Sequence, residues 1–320
     1  MSLSRRQQWR IEKIQAERIA RAQRAAESSE ALLENAQAEQ SGLVITRYGQ
    51  HVLVEAEDGQ LLQCTGRQNI ELSVAGDQVV FQSTGSDAGV VTALLPRENR
   101  LKRGDKLIAS NVDRLYLVVA VEPHYQFELI DRYLIMAQNA NLPIEIVVNK
   151  IELGDLAKIQ NDFAMYEAIG YPVHYLSVKQ NTGVESLKAR LDDHTNIFLG
   201  QSGVGKSSLI NALIPNLNLR VNEISDKSKL GKHTTTNTTL YHIPSGGDLI
   251  DSPGVREFQL DNLSSGEILS GFREFQAYLG HCKFRNCAHI NEPQCAIKGA
   301  VEAGDIHPKR YQSYLTLIEA

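Results

Sequence analysis

Apolar and polar positions alternate every second residue over five short stretches, Leu43 to Thr46, His51 to Glu55, Leu61 to Thr65, Gln78 to Gln82 and Gly89 to Leu94. That period marks half-buried strands. Turn signals separate them at Tyr48-Gly49, Asp58-Gly59, Ala75-Gly76-Asp77 and Thr84-Gly85-Ser86-Asp87. Five strands in so short a span predict a small closed β-barrel, with the OB-fold as the natural candidate. Such a barrel serves equally as an oligonucleotide platform or as a purely structural module. Cys64, alone in one of these strands, reads as a core residue.

Beyond the barrel the texture changes. Val112 to Val121 reads as a strand, Phe127 to Asn139 as a helix, Ile144 to Val148 as a strand, Leu156 to Ile169 as a helix, Val173 to Leu176 as a strand and Val184 to Leu191 as a helix. A buried strand, His194 to Leu199, a helix, Ser207 to Leu213, and a strand, Asp248 to Ile250, follow. Strands alternating with helices imply a mainly parallel sheet covered on both faces, with ligands at the carboxyl ends of its strands. Between the two textures, Arg97 to Lys106 holds Arg97, Arg100, Lys102, Arg103 and Lys106 and reads as an exposed basic linker. The expected division is a basic N-terminal arm over 1–40, an OB-fold barrel over 41–96, an α/β P-loop domain over 97–262 and a helical metal-binding domain over 263–320.

Composition changes this picture little. A chain of 320 residues with 42% hydrophobic residues can bury real cores. No apolar run approaches the ~18 residues of a membrane span, and the basic N-terminus lacks the apolar segment and cleavage site of a secretory signal, so the expectation is a cytoplasmic chain without membrane contact. The net charge of −5 argues against a general polyanion binder. Its distribution says more, because Arg5, Arg6, Arg10, Lys13, Arg18, Arg21 and Arg24 face only Glu12 and Glu17 in the arm. The arm is either solvated or meets nucleic-acid phosphate.

The chemistry-bearing residues stand at strand ends. Gly200-Gln201-Ser202-Gly203-Val204-Gly205-Lys206-Ser207, followed by Ser208, fits G-x-x-x-x-G-K-[ST] between a strand and a helix. Backbone N–H groups there curl around phosphate, Lys206 neutralises the β/γ-phosphates, and the Ser207 hydroxyl joins the Mg²⁺ shell. Asn149-Lys150-Ile151-Glu152 resembles the N-K-x-D element, in which a carboxylate accepts hydrogen bonds from guanine N1–H and its exocyclic amine, groups adenine lacks. Ser177-Val178-Lys179 resembles the element whose backbone N–H meets the guanine carbonyl. Asp251-Ser252-Pro253-Gly254 fits D-x-x-G, with Asp251 holding Mg²⁺ and Gly254 sensing the γ-phosphate. The base-reading elements precede the phosphate loop, an order that circular permutation explains, since domain termini tend to lie close together.

Together these residues resemble the RsgA (YjeQ/EngC) family of circularly permuted GTPases that act in small ribosomal subunit maturation. The resemblance covers nearly the whole chain and extends to Gly231-Lys232-His233-Thr234-Thr235-Thr236 and to the cysteine cluster near the C-terminus. It implies GTP hydrolysis stimulated by the subunit, GTP/GDP and rRNA as partners, and a monomer. Val255 stands where many GTPases carry a water-orienting glutamine, and the resemblance makes His233 the catalytic substitute. One of Thr234 to Thr236, with Thr235 taken as the representative, would supply a further Mg²⁺ hydroxyl from the polar loop Pro215 to Thr236.

Two features complete the expectation. Glu152 keeps the charge of N-K-x-D but moves the carboxylate by up to ~1.5 Å, which predicts guanine preference with a narrowed margin over other purines. Cys282, Cys287, His289 and Cys295 supply three thiolates and an imidazole, the set that closes a structural tetrahedral Zn²⁺ site. His281 is a rival ligand, and Lys283, Arg285, Lys298, Lys309 and Arg310 around the cluster either meet rRNA phosphate or are solvated. Two other readings stay open: a nucleic-acid-binding scaffold whose nucleotide site senses occupancy with little turnover, and an ATPase-like enzyme with relaxed base reading.

Overall fold

The computed structural model describes residues 39–319 apart from 67–69, 72, 104–105, 216, 218–237 and 252–262, together with Lys13 and Glu17. The chain forms two compact units. One comprises Met1–Val112, Leu191–Asn196 and Ile214–Val255, the other Asp113–Arg190, Ile197–Leu213 and Arg256–Ala320.

In the first unit β1 (Glu39–Tyr48), β2 (His51–Ala56), β3 (Leu61–Gly66), β4 (Gln78–Ser83) and β5 (Ala88–Leu94) coincide with the five alternating stretches. β1 pairs β2 along one edge and β4 along the other, and the β2–β3, β3–β5 and β5–β4 pairs close the barrel. Every second side chain, among them Val52, Val54, Leu62, Cys64, Val79 and Phe81, fills its core. Alternation therefore serves closure, because one face of each strand has nowhere to go but inward.

The stretch read from its charge as an exposed basic linker is mostly a hairpin, β6 (Arg100–Arg103) with β7 (Lys106–Ser110). Leu101 is buried on it. Arg97, expected in solvent, has a side chain only 1% exposed. Its guanidinium donates to Asp77 at 2.6 and 2.7 Å. Asp77 is fully buried and also accepts from the Val74 N–H at 2.7 Å and the Ser110 hydroxyl at 2.5 Å. A buried carboxylate needs such partners, and that requirement draws the arginine in. After the hairpin, and separated from it in sequence, β12 (Thr239–His242) pairs β1 at Thr46↔Thr239 and turns back into β13 (Asp248–Asp251).

The second unit carries the parallel α/β layers. Parallel β8 (Arg114–Ala120), β9 (Ile144–Asn149) and β10 (Val173–Tyr175) are joined by α1 (Phe127–Asn139) and α2 (Leu156–Ala168), and α3 (Val184–Leu191) leads to β11 (Thr195–Leu199) and α4 (Lys206–Leu213). The strand order is β10-β9-β8-β11. β9 is buried at every residue and β8 at all but its first, as sheets covered on both faces require. Asp155 caps α2 by accepting the Ala157 N–H at 2.9 Å. The C-terminal segment adds α5 (Ser265–Gly271), opened by a Ser264/Glu267 capping box, then α6 (Ala296–Ala303) and α7 (Pro308–Glu319). Phe272, Phe275, Ile297, Tyr314 and Leu317 share a core with Ile135 of α1.

Arg310 of α7 does not lie at the surface around the cysteine cluster. Its side chain is 1% exposed, pairs with Asp131 of α1, and donates to Glu274 at 2.6 Å. Tyr166 gives Asp131 a further hydrogen bond at 2.8 Å. Burial alone would lower the Arg310 pKa, but the two carboxylates reverse the sign and hold it firmly as a cation.

Candidate functional site

β11 delivers the chain to the glycine-rich loop, and α4 begins at Lys206 because Leu209, Ile210 and Leu213 anchor its inner face. Gly200 has φ +131°, and a Cβ there would lie 2.1 Å from the Val118 carbonyl oxygen. Gly205 has φ +95°, and a Cβ there would meet Asn149 Nδ2 at 2.4 Å. Left-handed backbone and lack of space both demand glycine at these two points. The Lys206 ammonium donates to the carbonyls of Gly200 and Gln201, each at 2.5 Å, so it folds back over its own loop. Gln201 and Lys206 are half-buried, Val204 is buried, and Ser202, Gly203, Ser207 and Ser208 are exposed.

The two elements expected to read the base converge on the same loop through Asn149, a residue 2% exposed. Its Nδ2 donates to the Val204 carbonyl at 2.9 Å, and its Oδ1 accepts from Lys150 N–H at 2.8 Å and, at 3.5 Å, Val178 N–H. One amide therefore touches all three elements. Lys150, at φ +61°, lays its stem along the loop, its ammonium donating to the carbonyls of Gly203 at 2.8 Å and Glu122 at 2.6 Å. Ile151 and Glu152 belong to a short 3-10 turn, Ile151–Leu153. Glu152 Oε2 is shielded from solvent and has no hydrogen-bond partner. A carboxylate oxygen left in that condition is costly, and a donor from a ligand would satisfy it. Ser177, fully buried, exchanges backbone hydrogen bonds with Thr182 at 3.0 Å and accepts Gln180 N–H on its hydroxyl at 3.1 Å, which shapes the Val178 and Lys179 loop. Asp251 ends β13 in the other unit. His233, Thr234, Thr235, Thr236 and Gly254 lie outside the described residues.

Comparison with known proteins gives this arrangement a family. Residues 94–261 match the RsgA GTPase family. A protein of Azotobacter vinelandii called small ribosomal subunit biogenesis GTPase RsgA is 44% identical over 98% of this chain and 95% of its own length. The chain belongs to the RsgA GTPase family. The protein of the same name from Pseudomonas aeruginosa is 45% identical over 98% of this chain and 95% of its own length. Among solved structures, YjeQ from Thermotoga maritima superposes with a TM-score of 0.74 at 32% identity, covering 88% of this chain and 98% of that one. YloQ, described as a circularly permuted GTPase, gives 0.71 at 28% identity over 89% of this chain and 96% of that one. As an RsgA GTPase the chain is a GTP hydrolase with a circularly permuted P-loop domain, an N-terminal five-stranded barrel and a C-terminal cysteine cluster.

That cluster is a candidate metal centre of this RsgA chain. One ligand atom from each of Cys282, Cys287, His289 and Cys295 lies within 4.8 Å of all the others, so the four can hold a metal ion. His281 is not among them. Cys282 Sγ lies 3.5 Å from His289 Nδ1 and 3.9 Å from Cys295 Sγ, and Cys295 Sγ lies 3.4 Å from His289 Nδ1. Burial lowers the His289 pKa, favouring the neutral imidazole that a metal requires.

The sequence reading missed the residues that shape this centre. The Glu292 carboxylate accepts backbone N–H groups of Ala288 at 2.8 Å, Ile290 at 2.9 Å and Asn291 at 3.1 Å. Those bonds pull its pKa down to about 2. From α7, Tyr311 and Tyr314 donate to the carbonyls of His289 and Ala288, both at 2.8 Å. The signal for Glu292 was its place between two ligands in a turn-rich stretch. The tyrosines carried none, because the contact is made across the fold. Glu122, opposite Lys150, was missed for the same reason.

Proposed function

We propose that this RsgA GTPase acts in maturation of the small ribosomal subunit, as the names of its relatives state for them, and binds that subunit and its rRNA from the cytoplasm as a monomer. The observation that carries the nucleotide site is Asn149, whose one amide joins the base-reading turn, the Ser177 loop and the phosphate loop. A single nucleotide then spans them. Its guanine meets the unpartnered Glu152 oxygen and the Val178 backbone, with the Lys150 stem on the ring face, while its phosphates lie on the N–H groups of 200–208.

Lys206 exchanges its two loop carbonyls for phosphate oxygens, a stronger charge-assisted partner. Ser207, Asp251 and Thr235 are the residues that would hold Mg²⁺; the cradle that a Cβ at Gly200 or Gly205 would fill is the feature that fits its phosphate companion. Mg²⁺ when bound offsets charge on the transferring phosphoryl group. His233 orients the attacking water and Gly254 senses the γ-phosphate. At the C-terminus, Zn²⁺ fits: bonds of about 2.3 Å to sulfur and 2.0–2.1 Å to nitrogen place tetrahedral ligand atoms roughly 3.5–3.8 Å apart, and the separations among Cys282 Sγ, His289 Nδ1 and Cys295 Sγ are 3.4, 3.5 and 3.9 Å. Four protein ligands leave no open position, so the ion is structural.

Competition titration with GDP, IDP, XDP and ADP tests the base assignment, GDP being expected tightest. Equal affinity for ADP would overturn it. Sedimentation with purified small subunits in GDP, a non-hydrolysable GTP analogue or no nucleotide tests the partner, with the analogue expected to give the most bound protein and no nucleotide dependence counting against it.

A further inference from the structure

Among the described residues every phenylalanine and tyrosine is buried or half-buried except Phe284, which is 41% exposed. One exposed ring means little by itself. Its setting gives it content. Phe284 belongs to the run Lys283-Phe284-Arg285-Asn286, exposed at all four residues, between two members of the cysteine–histidine cluster, Cys282 and Cys287. The Cys287 N–H donates back to the Phe284 carbonyl at 3.3 Å, and the Lys283 N–H donates to the Gln294 carbonyl at 3.2 Å. Cys282 Sγ accepts the Ala296 N–H at 3.3 Å. A turn fastened at both ends holds its tip in place without a partner, so little ordering entropy is lost on contact.

The tip also carries charge of one sign. Lys283 and Arg285 have no carboxylate partner among the described residues, and the carboxylate nearest in sequence downstream, that of Glu292, is occupied by three backbone N–H groups. The Lys283 ammonium stands over the Phe284 ring, 5.7 Å from its centre. An open aromatic ring between two cations on a fixed turn matches an unpaired nucleotide, whose base lies on the ring while its phosphates meet the cations. A duplex offers phosphates but keeps its bases stacked on one another. Carboxylates of an acidic peptide would use the cations and leave the ring idle.

We infer that Phe284, flanked by Lys283 and Arg285, is a stacking platform for an unpaired RNA base, so that the turn between Cys282 and Cys287 takes single-stranded rather than helical RNA. The inference rests on the rRNA-binding reading and narrows it from general phosphate contact to one unstacked nucleotide.

The test uses the full chain with Phe284→Leu, which keeps apolar bulk without the ring, Phe284→Tyr, which keeps the ring, and the double variant Lys283→Gln/Arg285→Gln. Binding is measured to a short single strand of adenine and uridine, to duplex RNA of the same length, and to purified small subunits. Phe284→Leu should weaken single-strand binding about tenfold with an unchanged salt slope, and duplex binding by less than about twofold. Phe284→Tyr should bind like the parent. The double variant should flatten the single-strand salt slope by roughly 1.4, two phosphate contacts at about 0.7 each. The chain has one tryptophan, so Trp9→Phe/Phe284→Trp puts the sole indole at the tip, where the single strand should quench its fluorescence and the duplex should not. That signal reads the tip whatever the N-terminal arm contributes. Metal content and Tm of Phe284→Leu should equal those of the parent. Parent-like single-strand affinity in Phe284→Leu, or an indole unquenched by a strand that binds, would overturn the inference. Equal losses for single strand and duplex would do the same, as would lowered Tm and metal content in Phe284→Leu, which describe a ring serving the fold. A loss confined to the subunit, with the single strand unaffected, overturns it in favour of a protein surface. A parent chain that binds neither RNA nor subunit removes the rRNA reading, and this inference with it.

Discussion

Glu152 is the residue at which this chain departs from the N-K-x-D pattern, and its buried, unpartnered oxygen makes the departure measurable. Shortening the side chain by one methylene withdraws the carboxylate by up to ~1.5 Å. If the 3-10 turn has not shifted to absorb the extra length, Glu152→Asp restores the spacing of the pattern. GDP affinity relative to IDP should then rise by roughly tenfold, since the exocyclic amine is the group that IDP lacks and a misplacement near 1 Å costs on the order of a hundredfold in a tight site. Isothermal titration with both nucleotides checks it, and an unchanged ratio assigns the amine to another acceptor. Glu292 offers a second single-residue test. Its three backbone N–H bonds order the turn that presents His289 and Cys295, so Glu292→Ala should lose metal to a chelator with an affinity loss of about 10- to 100-fold. Metal analysis after graded chelator treatment reads this directly.

Elements were legible where one period decides them. The barrel strands read from alternation because closure buries one face of each, and β8 and β9 read as continuous apolar runs because helices cover both sides. The β6–β7 hairpin did not read, since Arg100, Lys102 and Arg103 mask the single apolar position Leu101 that seats β6. The site followed the same division. Asn149, Lys206 and the four side chains of the cysteine–histidine cluster stand in local motifs, whereas Arg310 is placed by α1, α2 and Glu274, contacts no local pattern encodes. Its removal gives an element-scale prediction. Arg310→Met leaves Asp131 and Glu274 buried without their cation, which should cost about 3 kcal/mol or more at neutral pH. Burial already raises the Asp131 pKa, with Arg310 opposing it. Without Arg310 the folded-state pKa climbs further, and a carboxyl whose folded pKa exceeds its unfolded value favours the fold below the unfolded pKa and loses that contribution as pH rises through the folded one. The variant should therefore recover stability relative to the parent as pH is lowered from about 8 to about 5. Urea unfolding of both proteins across that range checks the sign.

At the scale of the whole molecule the charge is the informative quantity. The chain totals −5, yet its first 24 residues carry seven basic side chains against two acidic ones, so the remainder is more acidic than the total suggests. An acidic body repels an RNA surface at long range, and net attraction must come from where cations concentrate. Each phosphate neutralised contributes roughly −0.7 to −0.9 to the slope of log K against log salt. If the arm supplies the contacts, deleting residues 1–24 should flatten that slope by several units in binding to the small subunit, with little effect on GDP affinity, because the proposed base and phosphate contacts lie within 149–208. The β6–β7 hairpin and the cysteine-cluster segment would leave a residual slope of their own through Arg100, Lys102, Lys283 and Arg285. Filter binding of the full and shortened chains over a series of potassium concentrations separates the two sources. An unchanged slope would move the whole electrostatic contribution to those folded segments and leave the arm without a part in binding.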